Sequence, residues 1–245
     1  MGKWHVEHDK VIALFLKELN TVSDAFVLKG GTALKQCYSL DRFSEDIDLD
    51  GKRGQDIIPF IDRFCEKYGY SFRIAKNTET VKRCFVNYGN DSRPLKIETS
   101  YRLDLSDSGD LRKINGISVY SIDRLAQMKA NAYASRDKIR DLYDLAFICK
   151  KHFNTLSKQT VNMISDAVAN KGIEQFDYLL ATQNDPLIDN DKLAGDFLLM
   201  NEKLGLLYDK DELGRSSAVA ISDKKRKKDR GMDFPGRDRM DGNGR

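Results

Sequence analysis

One stretch of the chain indicates both its fold and its chemistry: VLKGGTALKQCYSLDRFSEDIDLDG, residues 27–51. Four acidic residues fall within six positions near its end: Glu45, Asp46, Asp48 and Asp50. At about 4 Å and an effective dielectric constant near 20, two carboxylates repel each other by roughly 4 kcal/mol. The segment is therefore either a solvated loop or a place where a cation binds.

The acidic residues alternate with apolar ones, and this period of two predicts a half-buried strand. Residues i and i+2 of a strand lie on one face, about 6.6 Å apart at a rise of ~3.3 Å per residue. Asp46 and Asp48 should therefore share a face, while Ile47 and Leu49 point into a core. Two carboxylates so placed can bind one hard divalent cation, Mg²⁺ or alternatively Mn²⁺. An exposed strand edge remains the alternative, because isolated D-x-D pairs are common.

The segment before the acids, FVLKGGTALKQ, predicts a strand, a glycine turn and a helix. Gly30 and Gly31 would let backbone N–H groups approach a phosphate at the positive end of that helix. Thr32, at the predicted N-cap, could bind a phosphate oxygen or cap its own helix. Lys29 and Lys35 add positive charge nearby. A phosphate-binding turn one helix ahead of a D-x-D strand favours the metal-site interpretation over an exposed edge.

Composition limits the class of protein. The chain has 245 residues, 40% hydrophobic and 32% charged, which is enough for a buried core. No apolar run approaches the ~20 residues that span a bilayer, and MGKWHVEHDK lacks the apolar region of a signal peptide. The cysteines form no C-x-x-C pair, which favours reduced thiols in a cytoplasmic protein over disulfides or a zinc site. They are Cys37, Cys65, Cys84 and Cys149.

The net charge of +3 is concentrated at the C-terminus. Residues 222–245 contain nine Lys or Arg and five Asp or Glu, so the first 221 residues are near neutral. Any nucleic-acid contact of the folded part must therefore come from a local patch. The C-terminal stretch has too few apolar residues to bury, which predicts a disordered basic tail over residues 211–245.

Hydrophobic periodicity predicts an α/β core followed by a helical part. The expected fold is an α/β core with a small mixed β-sheet flanked by helices (1–120), then a helical C-terminal domain (121–210). The predicted helices cover residues 5–20, 32–38, 55–69, 122–134, 139–152, 157–171, 172–181 and 191–205. The predicted strands cover residues 25–28, 45–50, 70–76, 81–89, 93–105 and 116–121.

The motif LKGGTALKQCYSLDRFSEDIDL resembles the first two motifs of the AbiEii/AbiGii toxin family, a branch of the polymerase-β-like nucleotidyltransferase superfamily. The matching motifs span residues 26–148, and Gly-Gly-Thr replaces the Gly-Ser turn of many superfamily members. The resemblance implies transfer of a nucleoside monophosphate from an NTP to an acceptor hydroxyl, with Mg²⁺. It also implies a bacterial toxin, in a toxin–antitoxin or phage-defence pair, with RNA (tRNA) as acceptor and a cognate antitoxin as partner.

The resemblance also implies a third carboxylate on a later strand. Glu98 in PLKIETSYR is the candidate, either at the metal or as acceptor of the substrate's proton, with Asp104 as the second choice. A surface glutamate on an edge strand is the alternative for Glu98. Arg42 and Ser44, just before the acids, are placed either to contact phosphate or to shape the start of the strand.

The later family motifs are matched by LAQMKANAYASRDKIRDLYDLAF. Lys129 corresponds to the family's lysine, and its compact charge suits a triphosphate. The family's R-D-x-x-D-L motif is matched from Arg140, and the resemblance implies that Asp141 and Asp144 lie at the nucleotide site. A solvated helix face would show the same spacing, because Arg140 and Asp144 are also i, i+4 partners.

Two other classes of protein remain open from the sequence. A GT-A-like glycosyltransferase also uses D-x-D to bind a metal and a nucleotide-sugar, but it does not need the glycine turn ahead of the acids. A catalytically inactive nucleotide-binding module is the other, although clustered acids without a cation would only destabilise it.

Overall fold

The computed structural model of the chain describes residues 3–89, 93–103, 105 and 109–207. Its helices are α1 (Lys3–Val22), α2 (Gly30–Tyr38), α3 (Ile58–Tyr68), α4 (Ile122–Ser135), α5 (Ile139–His152), α6 (Lys158–Thr182) and α7 (Asn190–Lys203), with a 3-10 turn at Phe153–Thr155. Its strands are β1 (Phe26–Lys29), β2 (Ile47–Gly51), β3 (Ser71–Asn77), β4 (Val81–Asn87), β5 (Leu95–Ser100), β6 (Leu111–Ile114) and β7 (Ile117–Tyr120).

The strands form one mixed sheet in the order β3-β4-β5-β2-β1-β7-β6, which confirms the predicted fold class. The acidic strand β2 lies near the middle, antiparallel to β1 and parallel to β5. In this register Lys29 lies opposite Asp48 on one side, and Glu98 lies opposite Asp48 on the other. The sheet therefore places the predicted third carboxylate directly beside the D-x-D pair.

The two acidic strands separate polar from apolar residues as their alternation predicts. In β2, Ile47 and Leu49 are fully buried, whereas Asp48 between them is only partly buried. In β5, Leu95 and Ile97 are buried and Glu98 is half-exposed. Both strands thus pack an apolar face against the core and leave a polar face open.

The glycine turn differs from the prediction in one respect. Helix α2 begins at Gly30, so Lys29 is its N-cap residue and Thr32 lies inside the first turn. Gly30 has φ +74°, a left-handed conformation that costs glycine little and other residues much more. The helix cap consequently lies three residues earlier than a capping Thr32 would give, and both glycines belong to the first turn.

Other local differences have simple causes. Pro59 sits in the first turn of α3, where a missing N–H is tolerated. Helix α6 is interrupted at Gly172 (φ +69°), as the two separate predicted helices anticipated. The short strand β6 was not predicted, and β5 ends at Ser100 rather than at residue 105, because alternation alone does not show where pairing stops.

The sheet and the helices as far as Leu204 belong to one compact unit. The predicted division near residue 120 and the predicted disorder of 211–245 stay predictions, and both that tail and Asp104 lie outside the described residues. Within the described ranges, none of the helices combines the length and the apolar character needed to cross a bilayer.

Candidate active site

A cleft of about 810 Å³ opens on the polar face of β2 and β5. Asp46 and Asp48 line it together with Gly31 of the glycine turn and Glu98 of β5. The two aspartates are therefore on one side of the sheet and reach the same cavity as the turn. On the far side of the cleft lie Lys129 and residues from the start of α5.

A second cavity of about 470 Å³ adjoins the first. The two cavities share four lining residues: Gly31, Asp48, Lys129 and Arg136. The second cavity is more apolar, with Leu103, Leu125 and Met128 in its walls. Asp48 and the glycine turn thus stand where the two cavities meet.

The three predicted carboxylates have different partners. Lys96 Nζ donates to Asp46 Oδ2 at 2.5 Å, and Arg83 Nε donates to Glu98 Oε2 at 2.6 Å. Asp48 makes no salt bridge to any residue in the described part of the chain. Burial raises the pKa of Asp48 above its ordinary value; the positive charges of Lys96 and Lys29 lower it, and the negative charges of Asp46 and Glu98 raise it.

These residues fit a divalent cation by their chemistry. Carboxylate oxygens are the ligands that Mg²⁺ prefers, and Asp46, Asp48 and Glu98 line one cleft. Among the described residues, however, no three His, Cys, Asp or Glu side chains are already grouped as a metal site. For all three acids to bind one cation, Asp46 would have to release Lys96, and Glu98 would have to release Arg83.

The glycine turn lies against the acids with no space for a side chain. A Cβ atom on Gly30 would stand 2.9 Å from Asp48 Oδ2. A Cβ atom on Gly31 would stand 2.8 Å from Arg42 Nη2 and 2.9 Å from Ser44 Oγ. Glycine is thus required at both positions, because the neighbouring side chains leave no room for a Cβ atom. The backbone of the turn borders the cleft.

Thr32 occupies a structural position rather than a phosphate-binding one. Its side chain is buried, and its hydroxyl lies at 2.9 Å from Ser44 Oγ and donates to the backbone carbonyl of Asp46. It does not line either cavity described above. Thr32 therefore ties α2 to the start of β2, whereas Ser44 does line the larger cleft.

Lys35 is not brought to the site. Its ammonium pairs with Asp9 of α1 and lies 5.6 Å from the centre of the Phe43 ring. The helix turns it away from the cleft, so the expected contact between Lys35 and phosphate has no support from its position.

Lys129 joins a buried network of charges behind the cleft. Its ammonium is 2.6 Å from Asp144 and 3.1 Å from Asp141. Arg42 binds Asp144 with two hydrogen bonds of 2.7 Å, and Arg136 binds Asp141 at 2.7 Å. Burial lowers the pKa of Lys129, but the two aspartates outweigh burial and raise it.

The two motif aspartates differ in their access to the cleft. Asp141 lines the larger cavity, whereas Asp144 is fully buried and does not. Burial raises the pKa of Asp144, but the charges of Lys129 and Arg42 outweigh burial and hold it below its usual value. Asp144 is therefore a positioning residue, which orients Lys129 and fixes Arg42 beneath the glycine turn.

Four other residues at the site have contacts that the motifs did not predict. Arg42 was considered for phosphate binding, yet its guanidinium is committed to Asp144. Lys96 was visible two residues before Glu98, but Arg83 could be placed only from the register of β4 against β5. Asp50 shares the face of Asp48, and it is buried with bonds from Lys29 at 2.6 Å and Tyr120 at 3.0 Å.

Comparisons with known proteins find structures of the same fold. The crystal structure of JHP933 from Helicobacter pylori has a TM-score of 0.70 and 27% identity, covering 91% of this chain and 99% of that one. The nucleotidyltransferase toxin MenT4 of Mycobacterium tuberculosis has the same fold, with a TM-score of 0.51 and 17% identity over 85% of this chain and 86% of that one.

Among sequence relatives, the uncharacterized protein aq_aa25 of Aquifex aeolicus is 29% identical over 138 residues. The match spans 54% of this chain and 61% of that protein. The family model described as nucleotidyl transferase AbiEii toxin, type IV toxin–antitoxin system, matches residues 14–212. Since this match includes the glycine turn, both acidic strands and helices α4 to α7, the chain belongs to the AbiEii nucleotidyltransferase toxin family.

Proposed function

We propose that the protein transfers a nucleoside monophosphate from an NTP to an acceptor hydroxyl on RNA, and that tRNA is its acceptor. The observation that carries the proposal is the shared cleft of Asp46, Asp48 and Gly31. A glycine turn at a helix N-terminus supplies backbone N–H groups for phosphates, and the adjacent acids supply oxygen ligands for a cation. Their meeting in one cleft supports a site for the polyphosphate of an NTP.

In the proposed reaction the acceptor oxygen attacks the α-phosphorus of the NTP. The new P–O bond forms as the bond to the β-phosphate oxygen breaks, and pyrophosphate leaves with its electron pair. Glu98 lies on the cleft wall beside Asp48, which supports a role for it in taking the proton of the attacking hydroxyl. Lys129 and Arg136, which line both cavities, stabilise negative charge on the phosphates.

Asp46 and Asp48 would hold a divalent cation, with Glu98 as a further ligand. When bound, Mg²⁺ neutralises charge on the phosphates and on the attacking and leaving oxygens. The chain itself contributes the position of the acids on β2 and β5, the narrow turn at Gly30 and Gly31, and the oriented charge of Lys129.

The biological role proposed for this activity is that of a toxin with a cognate antitoxin, which follows from the family. Modification of the acceptor end of tRNA would stop translation. The acidic and basic residues of the cleft do not identify the preferred base of the NTP, which requires measurement.

The test is a transfer assay with each radiolabelled NTP, Mg²⁺ and total tRNA. Wild-type protein is compared with Asp48→Ala and with Asp191→Ala, which removes an exposed aspartate from the first turn of α7. We expect label in RNA with wild type and Asp191→Ala, and none with Asp48→Ala. Label that enters RNA equally with Asp48→Ala would refute the mechanism.

The transfer assay and two binding measurements separate the other classes of protein. Label found only on the protein would show that the acceptor is a protein and not RNA. Binding of a nucleotide-sugar in preference to NTPs would indicate a glycosyltransferase, to which the family match gives no support. Absence of any Mg²⁺-dependent NTP binding in calorimetry would indicate an inactive module.

A further inference from the structure

Two rows of side chains lead across the sheet from the catalytic acids to its edge. In the first row Lys96 on β5, Phe85 on β4 and Arg73 on β3 are directly paired. The pairing also places Lys96 beside Asp46, with which it forms its salt bridge.

The second row runs parallel to the first, two residues farther along β4 and β5 and three residues farther along β3, where the register shifts between Ile74 and Lys76. Asp48 pairs with Glu98, Glu98 pairs with Arg83, and Arg83 pairs with Lys76 on β3. Three strand spacings of ~4.8 Å separate Asp48 from Lys76, a path of about 14 Å. Directly paired residues point to the same side of a sheet, so both rows lie on the face that bears the cleft.

We call Lys96, Arg83, Phe85, Arg73 and Lys76 together the basic face. Its side chains are open to solvent: Arg83 is 39% exposed, and Arg73 and Lys76 are exposed on the edge strand. The intervening residues Cys84 and Val86 are fully buried on the other side, where α3 packs against β3 and β4. The helices therefore cover one side of these strands and leave the basic face uncovered.

The basic face carries four cations and an aromatic ring. On β3, β4 and β5, the two rows contain one carboxylate, that of Glu98. The Arg73 guanidinium lies 4.2 Å from the centre of the Phe85 ring, so an aromatic surface and a planar cation are stacked together. The first 221 residues are near neutral overall, and such a local concentration of positive charge is thus a property of this face.

We propose that the basic face binds the single-stranded end of an RNA and directs its terminal hydroxyl to Asp46 and Asp48. This proposal rests on the proposed nucleotidyl transfer, and it adds a path for the acceptor outside the cleft. The cations contact successive phosphates, and Phe85 with Arg73 provides a stacking surface for a base. The rows end at the acids, which is where the acceptor hydroxyl must arrive.

An acidic protein is the other class of ligand that four cations could attract. The aromatic ring in the middle of the cations favours a nucleic acid, because base stacking uses the ring face and a carboxylate does not. The alignment of the rows with the catalytic acids also favours a substrate over a partner bound elsewhere.

The test measures fluorescence anisotropy of a labelled single-stranded RNA of about 12 nucleotides, within the usual range of such sites. Three proteins are compared with wild type: Arg73→Glu/Lys76→Glu, Phe85→Leu, and the control Lys17→Glu/Lys113→Glu. The control has the same net charge as the first variant, and its residues are exposed on α1 and on β6 at the opposite edge of the sheet. Calorimetry of NTP binding with Mg²⁺ is run on each protein.

We expect Arg73→Glu/Lys76→Glu to weaken RNA binding at least about tenfold and to reduce the slope against log salt by about 1.4, for two lost phosphate contacts. Phe85→Leu should weaken binding roughly tenfold with an unchanged salt slope. NTP binding should be the same in all four proteins, and the control should bind RNA like wild type.

The proposal is overturned if the control loses as much RNA affinity as Arg73→Glu/Lys76→Glu, or if neither face variant loses any. It is also overturned if a polyglutamate peptide binds as tightly and depends on Arg73 and Lys76 but not on Phe85, which would identify an acidic protein as the ligand. Loss of RNA binding with normal NTP binding affects only this proposal. Absence of NTP binding in wild type contradicts the proposed function instead.

Discussion

Replacement of Asp48 by asparagine is expected to stabilise the metal-free protein while it abolishes activity. Asp48 lies beside Glu98 across β2 and β5, and it shares a face with Asp46 two residues away. Burial and these two negative charges raise the pKa of Asp48, which means that its ionised form is unfavourable in the folded chain. An amide of the same shape removes the charge and keeps the packing against Gly30.

The size of the effect follows from Coulomb's law. At a cross-strand separation of about 5 Å and an effective dielectric constant near 20, Asp48 and Glu98 repel by roughly 3 kcal/mol. Asp46, at about 6.6 Å, adds roughly 2.5 kcal/mol. Lys96 and Lys29 attract Asp48 and offset most of this sum, which leaves a net gain of about 1–2 kcal/mol. For a chain of this size the melting temperature should rise by roughly 2–8 °C.

Asp50→Asn is the matched control, since Asp50 lies on the same face of the same strand. Asp50 is buried and accepts hydrogen bonds from Lys29 and Tyr120. Loss of its charge should therefore destabilise the protein by about 2 kcal/mol. The two substitutions are chemically identical and should shift stability in opposite directions.

The assay is urea denaturation in EDTA and in millimolar Mg²⁺. Because a ligand that binds only the folded state stabilises it, Mg²⁺ should raise the stability of wild type and of Asp50→Asn but not of Asp48→Asn. Destabilisation by Asp48→Asn in EDTA would refute the electrostatic reasoning. An equal Mg²⁺ effect on Asp48→Asn and wild type would refute the assignment of Asp48 as a ligand.

A pH series extends the same prediction. The pKa of Asp48 is higher in the folded than in the unfolded chain, so the folded state takes up a proton first as pH falls. The stability advantage of Asp48→Asn in EDTA should be complete at pH 7 and should disappear as pH falls through the raised pKa towards 3.8. Stabilisation of wild type by Mg²⁺ should weaken over the same range, and an advantage that persists at pH 4 would contradict the sign.

Three further substitutions test the surroundings of the site. Asp144→Asn should lower the free energy of unfolding by about 3–5 kcal/mol, because it leaves two buried cations underpaired; a change below about 1 kcal/mol in urea denaturation would contradict this. Gly31→Ala should destabilise by about 1–3 kcal/mol and weaken NTP binding in calorimetry, since its Cβ would press on Arg42; unchanged NTP affinity would contradict the role of the turn. Thr32→Val should cost about 1–2 kcal/mol through the lost bond to the Asp46 carbonyl, and wild-type stability would show that this bond contributes nothing.

Local patterns predicted the parts of the site that depend on one strand or one turn. The alternation around Ile47 and Leu49 placed Asp46 and Asp48 on one face, because side-chain direction in a strand is fixed by position alone. The glycine turn was recognised for a similar reason, since only glycine readily adopts the φ of Gly30.

Features that depend on pairing between distant segments were not predictable in this way. The salt bridge from Arg83 to Glu98 requires the register of β4 against β5, which no local pattern encodes. The spacing of Asp141 and Asp144 likewise did not show which one reaches the cleft. Three residues along a helix turn the side chain by about 300°, and the neighbouring helix then decides which aspartate it covers.

The energetics of β2 provide a further argument about its function. Asp50 has Lys29, and Asp46 has Lys96, so two acids of the strand are compensated within the chain. Asp48 has no such partner among the described residues, although a lysine opposite it in β1 is near enough to have been used. Lys29 bonds Asp50 instead. A fold selected for stability alone would not retain a carboxylate without a salt bridge between two others. We therefore propose that the charge of Asp48 serves to bind a cation that arrives with the substrate. The gain in the free energy of unfolding of Asp48→Asn without metal measures how much stability this carboxylate costs the protein.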